Sequence, residues 1–194
     1  MIDMDGNTRC SWVTLKNPLY VRYHDEEWGI PLYDDKKLFE LFVLETFQAG
    51  LSWECVLNKR DHFRKAFDGF EPDLVMRYGE EKIEELMKNP GIIRNRRKIK
   101  AAIINSRIFQ SIQEEFGSFS NYIWSYTSGN VVREPFTLRT TSPLSDAISK
   151  DLKKRGMSFV GSTTIYAFLQ SMGVIAAHSE GCICCGRSGK KGMD

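Results

Sequence analysis

The fold is decided by residues 83–100, which read Ile83-Glu84-Glu85-Leu86-Met87-Lys88-Asn89-Pro90-Gly91-Ile92-Ile93-Arg94-Asn95-Arg96-Arg97-Lys98-Ile99-Lys100. A helix over 80–88 is predicted before the break at Asn89-Pro90-Gly91, because Pro and Gly together mark a turn. A long basic helix is predicted from about Arg94 to Phe116. A helix, a tight turn and a second helix in this order form the helix-hairpin-helix pattern.

A hairpin of this kind is suited to hold a phosphate group. Gly91 lets the backbone come close to an anion, and the second helix presents its N-terminal N–H groups and the positive end of its dipole. Five basic residues in the seven from Arg94 to Lys100 add a salt-dependent attraction for DNA that reads no sequence. The usual hairpin has Gly on both sides of its turn, whereas this one has a single Gly, so an ordinary helical corner is the alternative.

Most of the chain is predicted to be helical, so the fold class is all-α. Asp34 and Ser52 are good N-caps for the helices predicted to begin at residues 36 and 53. Helices are predicted over 36–49, 53–67, 118–126 and 162–172, with further ones that begin at Pro72 or end near Arg155. The best strand candidate is 129–133, within a stretch that has no helical period.

Composition places the chain among globular proteins. Its 194 residues are 42% hydrophobic, which suits one domain over 1–186 followed by a disordered Gly/Lys tail over 187–194. The acidic N-terminus does not fit a secretion signal, and no apolar run approaches the ~18 residues of a membrane helix. We therefore expect a cytoplasmic protein without membrane contact, and a monomer. With a net charge of only +2, attraction for an anionic partner depends on local clusters, of which Lys153-Lys154-Arg155 is the second.

Glu45 stands in an almost wholly apolar stretch, Leu41-Phe42-Val43-Leu44-Glu45-Thr46-Phe47-Gln48-Ala49-Gly50-Leu51-Ser52-Trp53. On a helix, Glu45 shares one face with Leu38, Leu41, Phe42 and Ala49. A carboxylate on an apolar stripe is costly unless it is paired or takes part in chemistry. A buried ion pair, or a carboxylate that caps a nearby backbone, is the structural alternative to a functional site.

Aromatic residues gather around this carboxylate in the sequence. Five of them flank the predicted Glu45 helix: Trp12, Tyr20, Tyr23, Trp28 and Trp53. Any single one is expected to belong to the core. Several around one buried carboxylate indicate a pocket for a flat, cationic ring.

Cysteines and histidines lie near both ends of the chain. Cys10 and His24 form one pair, and His178 and Cys182 form a His-x3-Cys unit. Two Cys and two His would make a closed, tetrahedral zinc site of the structural type. The two halves lie about 150 residues apart, unlike those of a zinc finger, and two cysteines shortly downstream compete as ligands. Spacing alone therefore leaves metal binding open.

Taken together, these features resemble the constitutive bacterial 3-methyladenine DNA glycosylase I family over about residues 9–185. The matching stretches are Arg9-Cys10-Ser11-Trp12, Pro18-Leu19-Tyr20, Tyr23-His24-Asp25-Glu26-Glu27-Trp28-Gly29, Leu44-Glu45, Gln48-Ala49-Gly50-Leu51-Ser52-Trp53, Gly91-Ile92-Ile93-Arg94, Leu152-Lys153-Lys154-Arg155-Gly156, Phe159-Val160-Gly161 and His178 with Cys182. The resemblance implies a helix-hairpin-helix DNA glycosylase superfamily fold with its core at about 35–126. It also implies a zinc-stapled second lobe formed by 1–34 and 127–186.

The resemblance also implies a role for each matching residue. The implied ligands of one structural Zn²⁺ ion are Cys10, His24, His178 and Cys182. The implied catalytic groups are Glu45 and Tyr23, with Trp53 stacked on the base and Trp12, Trp28 and Gln48 around it. The expected DNA contacts are Leu51, as a wedge in the duplex, and the hairpin residues Gly91, Ile92, Arg94, Arg96, Arg97 and Lys98. Thr46-Phe47 departs from the polar residues of the family pattern.

The implied activity is base-excision repair of double-stranded alkylated DNA, in which 3-methyladenine is flipped out and released as the free base. No Asp occurs between Asp73 and Asp146, where many relatives carry a catalytic one, and no Lys stands out as a Schiff-base nucleophile. Strand cleavage is therefore not expected. Three alternatives remain: a zinc-stapled DNA-binding protein without activity, a glycosylase that also nicks the strand, and a metal-dependent hydrolase, which would need an open metal position.

Overall fold

The structure, a computed structural model, describes residues 6–134 and 139–186. In these residues the α-helices are α1 Pro18–Glu26, α2 Asp35–Gln48, α3 Trp53–Leu57, α4 Arg60–Ala66, α5 Pro72–Val75, α6 Glu80–Lys88, α7 Arg96–Phe116, α8 Phe119–Ser125, α9 Pro143–Lys154 and α10 Ser162–Ser171. A 3-10 turn, Asp68–Phe70, lies between α4 and α5. Two short strands, β1 Val132–Arg133 and β2 Ile175–Ala176, pair in parallel with Val132 opposite Ile175. The tail predicted to be disordered, 187–194, lies outside the described residues.

The prediction of a mainly helical fold is confirmed, with three corrections. The helix predicted over 53–67 is two helices, and between them Asn58 accepts a hydrogen bond from Asn17 at 3.0 Å. Helix α1 was not predicted, although Asn17 caps its first turn and Pro18 occupies its first position. The predicted strand exists only as β1, and its partner β2 gave no signal in the sequence.

Helix α2 is the centre of the molecule. It packs against α3, α7, α8 and α10, and every residue from Leu38 to Phe47 is buried. The helix therefore has no solvent-facing side along most of its length, rather than the single apolar stripe that the sequence indicated. Its surroundings are largely aromatic, including Phe63, Phe109, Phe119 and Phe168.

Both ends of α2 are fixed by side-chain hydrogen bonds. At its start, the Asp35 carboxylate accepts from the backbone N–H groups of Phe119 at 2.8 Å and Ser120 at 2.9 Å, which ties α2 to the beginning of α8. At its end, the Lys98 ammonium donates to the carbonyls of Phe47 at 2.7 Å and Ala49 at 2.5 Å. These carbonyls have no partner within the helix, so Lys98 satisfies them. The helix that carries Glu45 is thus fixed at both ends.

The turn between α6 and α7 is shaped by its own side chains. The Gly91 N–H donates to the Asn89 side chain at 2.8 Å, and a Cβ at Gly91 would lie 2.8 Å from the His62 ring. Glycine is therefore required here by close packing against α4. Ile92 is buried in the core and anchors the turn. Within the described part of the chain, no helix is long and apolar enough to cross a membrane.

Candidate active site and metal centre

An aromatic cavity of ≈310 Å³ opens beside α2. Its lining contains all six residues that the family resemblance implied as catalytic or base-binding: Glu45, Tyr23, Trp53, Trp12, Trp28 and Gln48. The rings meet at angles: Trp12 and Trp28 have centroids 4.8 Å apart at 63°, and Tyr23 and Trp53 lie 5.2 Å apart at 45°. The cavity is therefore walled by electron-rich ring faces and edges with one carboxyl group among them.

The Glu45 carboxyl group has an unusual environment. The residue is only 4% exposed, and its Oε2 atom is buried with no hydrogen-bond partner. Burial raises the pKa of Glu45 from 4.5 to about 8, against a smaller lowering by a hydrogen bond from Ser171. A buried acceptor without a partner is costly, and such atoms mark positions that a ligand completes. Trp53 Nε1, a donor in the same cavity, is also buried without a partner.

Ser171, at the end of α10, is the hydroxyl next to this carboxyl group. Its hydrogen bonding opposes the pKa increase that burial gives to Glu45 and to Tyr23. The same hydroxyl donates to the Phe168 carbonyl at 2.9 Å, and a hydroxyl has only one proton to give. Ionised Glu45 is the stronger acceptor of the two, because charge-assisted hydrogen bonds are stronger than neutral ones. Ser171 is thus placed to stabilise the carboxylate when it forms.

Tyr23, which belongs to α1, lies beside Glu45 in the cavity. It remains a neutral hydrogen-bond donor. Burial raises its pKa well above 10, and the nearby Glu45 charge adds to the increase. The Ser171 hydroxyl lowers the pKa of both Tyr23 and Glu45, so it influences both groups.

Cys10, His24, His178 and Cys182 come together although they lie at opposite ends of the chain. Their ligand atoms all lie within 4.8 Å of one another. The Cys182 Sγ atom is 3.4 Å from His24 Nε2 and 3.6 Å from His178 Nδ1, and Cys10 Sγ is 3.5 Å from His178 Nδ1. A tetrahedral ion with bonds of about 2.3 Å to sulfur and about 2.0–2.1 Å to nitrogen needs S···N separations of roughly 3.5 Å. The four groups therefore fit one metal ion.

Outer partners fix the orientation of both histidines. His24 Nδ1 lies 2.7 Å from the Asp25 carboxylate, which Arg9 also holds at 2.7 Å, and His178 Nε2 lies 3.3 Å from the Trp28 carbonyl. This leaves His24 Nε2 and His178 Nδ1 directed at the cysteines, as metal-binding histidines require. The Cys/His cluster adjoins the aromatic cavity, because the ring centroids of His178 and Trp28 are 4.6 Å apart.

The two further cysteines do not displace this set. Cys185 is exposed, and Cys184 supports the cluster through its backbone N–H, which donates to Cys182 Sγ at 3.4 Å. Cys184 forms an alternative group with His24 and Asp25. That group contains only three residues, and its Asp25 carboxylate is already bonded to His24 Nδ1 and to Arg9, so the four-residue set is the better metal site.

Known proteins resemble this chain over most of its length. The model of the methyladenine glycosylase family matches residues 12–185. DNA-3-methyladenine glycosylase 1 of Escherichia coli (strain K12) is 45% identical over 180 residues, which are 91% of this chain and 96% of that protein. The chain belongs to the methyladenine glycosylase family.

Two solved structures of the same kind superpose closely. A crystal structure of 3-methyladenine DNA glycosylase I gives a TM-score of 0.87 at 44% identity and covers 91% of this chain and 99% of that one. A tyrosine-to-phenylalanine variant of 3-methyladenine DNA glycosylase I, crystallised in complex with 3-methyladenine, gives a TM-score of 0.87 at 36% identity and covers 94% and 98%. The methyladenine glycosylase fold thus extends over nearly the whole chain.

The residues expected to contact DNA in this methyladenine glycosylase occupy different environments. Leu51 is 43% exposed on the turn that follows Gln48, at the edge of the aromatic cavity. Arg94 and Arg97 are exposed beyond the α6–α7 turn. Arg96 instead pairs with two glutamates of α6.

Lys98 departs most from the expectation that it contacts DNA. It is only 5% exposed, and its ammonium is occupied by two carbonyls at the end of α2. Its charge is directed into the protein, where it braces the turn that carries Leu51. A basic run in the sequence does not reveal which of its members point inward, because that depends on what packs against the helix.

Several cavity residues of this methyladenine glycosylase gave no signal in the sequence. They are Arg139, Thr140, Ala167 and Gln170, together with Ser171 beside Glu45. All lie more than ninety residues after Glu45, on α10 or just before α9. A period or motif describes only neighbours along the chain, so these residues could not be assigned before the helices were placed.

Replacing Ser171 by Ala should raise the pKa of Glu45 further, by about one unit, because a hydrogen bond to a charged group is worth roughly 1.5–3 kcal/mol. The carboxyl-carbon chemical shift of Glu45, followed by NMR as pH is raised, measures this directly. Ser106 is the matched control, since it is also buried and also donates to a backbone carbonyl, at 2.7 Å. An unshifted Glu45 titration in Ser171→Ala, or an equal shift in Ser106→Ala, would remove Ser171 from this role.

Proposed function

We propose that this protein excises 3-methyladenine from alkylated duplex DNA by hydrolysis of the glycosidic bond, which leaves an abasic site. The observation that carries the proposal is the partnerless Glu45 Oε2 atom inside an aromatic cavity. A protein that only binds DNA has no use for a buried carboxyl group with an open acceptor. A relative that is 45% identical is a DNA-3-methyladenine glycosylase, and a structural neighbour holds 3-methyladenine.

The cavity selects a cationic base by its walls. Alkylation at N3 places a positive charge on the adenine ring, and indole and phenol faces attract cations. Trp53 stacks on the flipped base, while Trp12 and Trp28 close the far side of the cavity. Neutral adenine lacks this attraction, so the undamaged base gains less from leaving the helix stack.

Glu45 accepts a hydrogen bond from the base edge and stabilises the positive charge on the ring. A cation in the cavity favours the ionised carboxyl group and so opposes the effect of burial on its pKa. Tyr23 remains a neutral donor on one side, and Ser171 holds the carboxylate on the other. These groups recognise the base, and the base is already a good leaving group because of its charge.

The reaction then needs only water. The bond from the sugar C1′ to the base nitrogen breaks, and both bonding electrons leave with the base, which departs as neutral 3-methyladenine. Water adds its oxygen to the oxocarbenium-like sugar and loses one proton to solvent. With no Asp between Asp73 and Asp146 and no assigned lysine nucleophile, we propose hydrolysis without strand cleavage.

The α6–α7 turn is the proposed DNA anchor, as a helix-hairpin-helix. Among the described residues, the N–H groups of Ile93 and Arg94 have no acceptor, and they precede the N-terminus of α7. Two free N–H groups at a helix start suit a phosphate. Gly91 and Ile92 hold the turn in shape, and Arg94 and Arg97 add charge from the surface. Leu51 fills the gap left by the flipped base.

We propose that Cys10, His24, His178 and Cys182 hold one structural Zn²⁺ ion that joins the N-terminal segment to the C-terminal one. Support comes from the tetrahedral spacing and from the outer partners of both histidines. Four protein ligands leave no open position, so the ion would stabilise the lobe formed by 1–34 and 127–186 rather than activate water. The same proposal includes a single 1–186 domain that acts as a monomer in the cytoplasm.

The test is base release from an alkylated duplex, with the free bases separated by chromatography. The expected result is 3-methyladenine in the soluble fraction, intact DNA strands until the abasic sites are cleaved by alkali, and no adduct trapped by borohydride. A borohydride-trapped adduct would indicate a glycosylase that also cuts the strand. If folded, zinc-loaded protein released no base, the enzyme proposal would fail and a DNA-binding role would remain.

A further inference from the structure

Two basic clusters that lie far apart in the sequence meet at one groove on the surface, here called the α7–α9 groove. Arg97 and Lys100 project from α7, and Lys153 comes from the end of α9. With Ile104 and Phe159 they line a space of ≈550 Å³. Ile104 is 43% exposed. The groove thus has cations along its sides and an apolar floor open to solvent.

The cations in the groove differ in their partners from two arginines just outside it. Arg96 and Arg155, from the same two clusters, are each held by two carboxylates. In the described part of the chain, the side chains of Arg97 and Lys153 have no ion pair and no hydrogen bond. Lys100 reaches one carboxylate oxygen at 3.3 Å. Carboxylates therefore neutralise these two arginines outside the groove, whereas Arg97 and Lys153 keep their positive charge within it.

One wall of the groove is a strained turn that the fold holds in place. Phe159 has φ of 59°, a conformation that costs a bulky residue roughly 1–3 kcal/mol. The turn is clamped by Asn105, which exchanges two hydrogen bonds of 2.9 Å with the Ser158 backbone, and by Ser149, which donates to the Val160 carbonyl at 2.6 Å. Strain of this kind persists only where the surroundings fix it. Here it presents an aromatic side chain beside unpaired cations.

The groove adjoins the turn proposed to enter the duplex. The buried Lys98 ammonium lies 5.9 Å from the centre of the Phe159 ring and also binds the Ala49 carbonyl, two residues before Leu51. Lys98 is therefore a common support for the groove wall and for the Leu51 turn.

We propose that the α7–α9 groove binds the sugar-phosphate backbone of the duplex next to the flipped nucleotide. Arg97 and Lys153 contact phosphates, with Lys100 beside them, and Ile104 and Phe159 lie against the deoxyribose faces. The proposal rests on the proposed function, because it uses the position of Leu51 in the duplex. It assigns a role to the Lys153 and Phe159 segments, and it extends the DNA-binding surface from the α6–α7 turn across to α9.

The test is the salt dependence of binding to a short alkylated or undamaged duplex, followed by fluorescence anisotropy. Each phosphate contact contributes about 0.9 to the slope of log K against log[salt]. The double variant Arg97→Ala with Lys153→Ala should therefore reduce the slope by about 1.8. The affinity for free 3-methyladenine and the thermal midpoint should not change, because the groove is separate from the aromatic cavity.

The matched control is Lys37→Ala with Lys154→Ala, which removes the same charge. Lys154 follows Lys153 but does not line the groove, and Lys37 lies at the start of α2, far from the Leu51 turn. An unchanged slope in the groove variant, or an equal decrease in both variants, would overturn the proposal. It would also be overturned if the groove variant bound duplex RNA more weakly while its DNA binding stayed intact. Base release by the wild type is measured in parallel: if release failed while the groove-dependent slope remained, the enzyme function would be rejected and the groove retained.

Discussion

Replacing Glu45 by Gln should lower the rate of 3-methyladenine excision about 10- to 100-fold and weaken binding of the free base to a similar extent. The physical reason is that a carboxylate bonded to a cationic ring loses its charge, and hydrogen bonds to charged groups contribute roughly 1.5–3 kcal/mol. Single-turnover excision kinetics and titration of the free base into the protein measure the two effects. If both were unchanged, Glu45 would have no part in base recognition.

The same substitution should stabilise the folded protein at alkaline pH. The folded-state pKa of Glu45, about 8, lies above its ordinary value of 4.5, so between these two pH values the folded state binds more protons than the unfolded state. The free energy of unfolding of the wild type therefore falls as pH rises through this window and is level above it. Glu45→Gln should remove this fall, with a gain of about 5 kcal/mol at pH 9 relative to pH 4.

Glu40 provides the contrasting control, because it is a second buried carboxylate on α2. Arg60 and Arg64 both bond to it, at 2.5 and 2.8 Å. Glu40→Gln leaves these cations with a weaker partner and should destabilise the protein without affecting binding of the free base. A loss of stability in both variants would show that Glu45 is a structural carboxylate, as one of the sequence-based alternatives held.

Removal of the proposed zinc ion should have the largest effect on stability. A strong chelator should lower the thermal midpoint by ~10 °C or more, because structural zinc contributes several kcal/mol and each kcal/mol shifts a domain of this size by about 2–4 °C. Base binding should weaken as well, since His178 packs on Trp28 and His24 packs on Trp12 at 5.3 Å. Metal analysis of the purified protein should find one zinc ion per chain.

Substituting two cysteines that lie three residues apart distinguishes a metal ligand from a cysteine outside the cluster. Cys182→Ala should lose the metal and the stability together, whereas Cys185→Ala, an exposed cysteine outside the cluster, should lose neither. Full zinc content in Cys182→Ala, or a wild type that contains no zinc, would show that the cluster is a set of packed thiols and imidazoles and not a metal site.

Much of the cavity could be predicted because its residues are close in the sequence. Tyr23, Trp28, Glu45 and Trp53 fall within about thirty residues, so an apolar pattern broken by one carboxylate already indicated a pocket. The metal cluster was harder to predict. Spacing left it open, and only the resemblance to a family joined the two ends of the chain.

The hairpin shows where local patterns stop being informative. The helix over 80–88, the break at Gly91 and the long helix after it were predicted correctly. The structure adds a reason for glycine that the sequence did not indicate: its missing Cβ makes room for His62 from α4. Local sequence specifies a turn, but it does not specify what packs against that turn.

By itself the sequence determined the helices, the isolated carboxylate and its aromatic neighbours, because hydrophobic period, caps and breakers act over a few residues. Only the tertiary structure decided which charges face solvent. It buried Lys98, neutralised Arg96, and left Arg97 and Lys153 open in one groove. It also brought Ser171 to Glu45 from the far end of the chain. Burial and electrostatic partnership depend on distance in space, and that distance is set only when the helices pack.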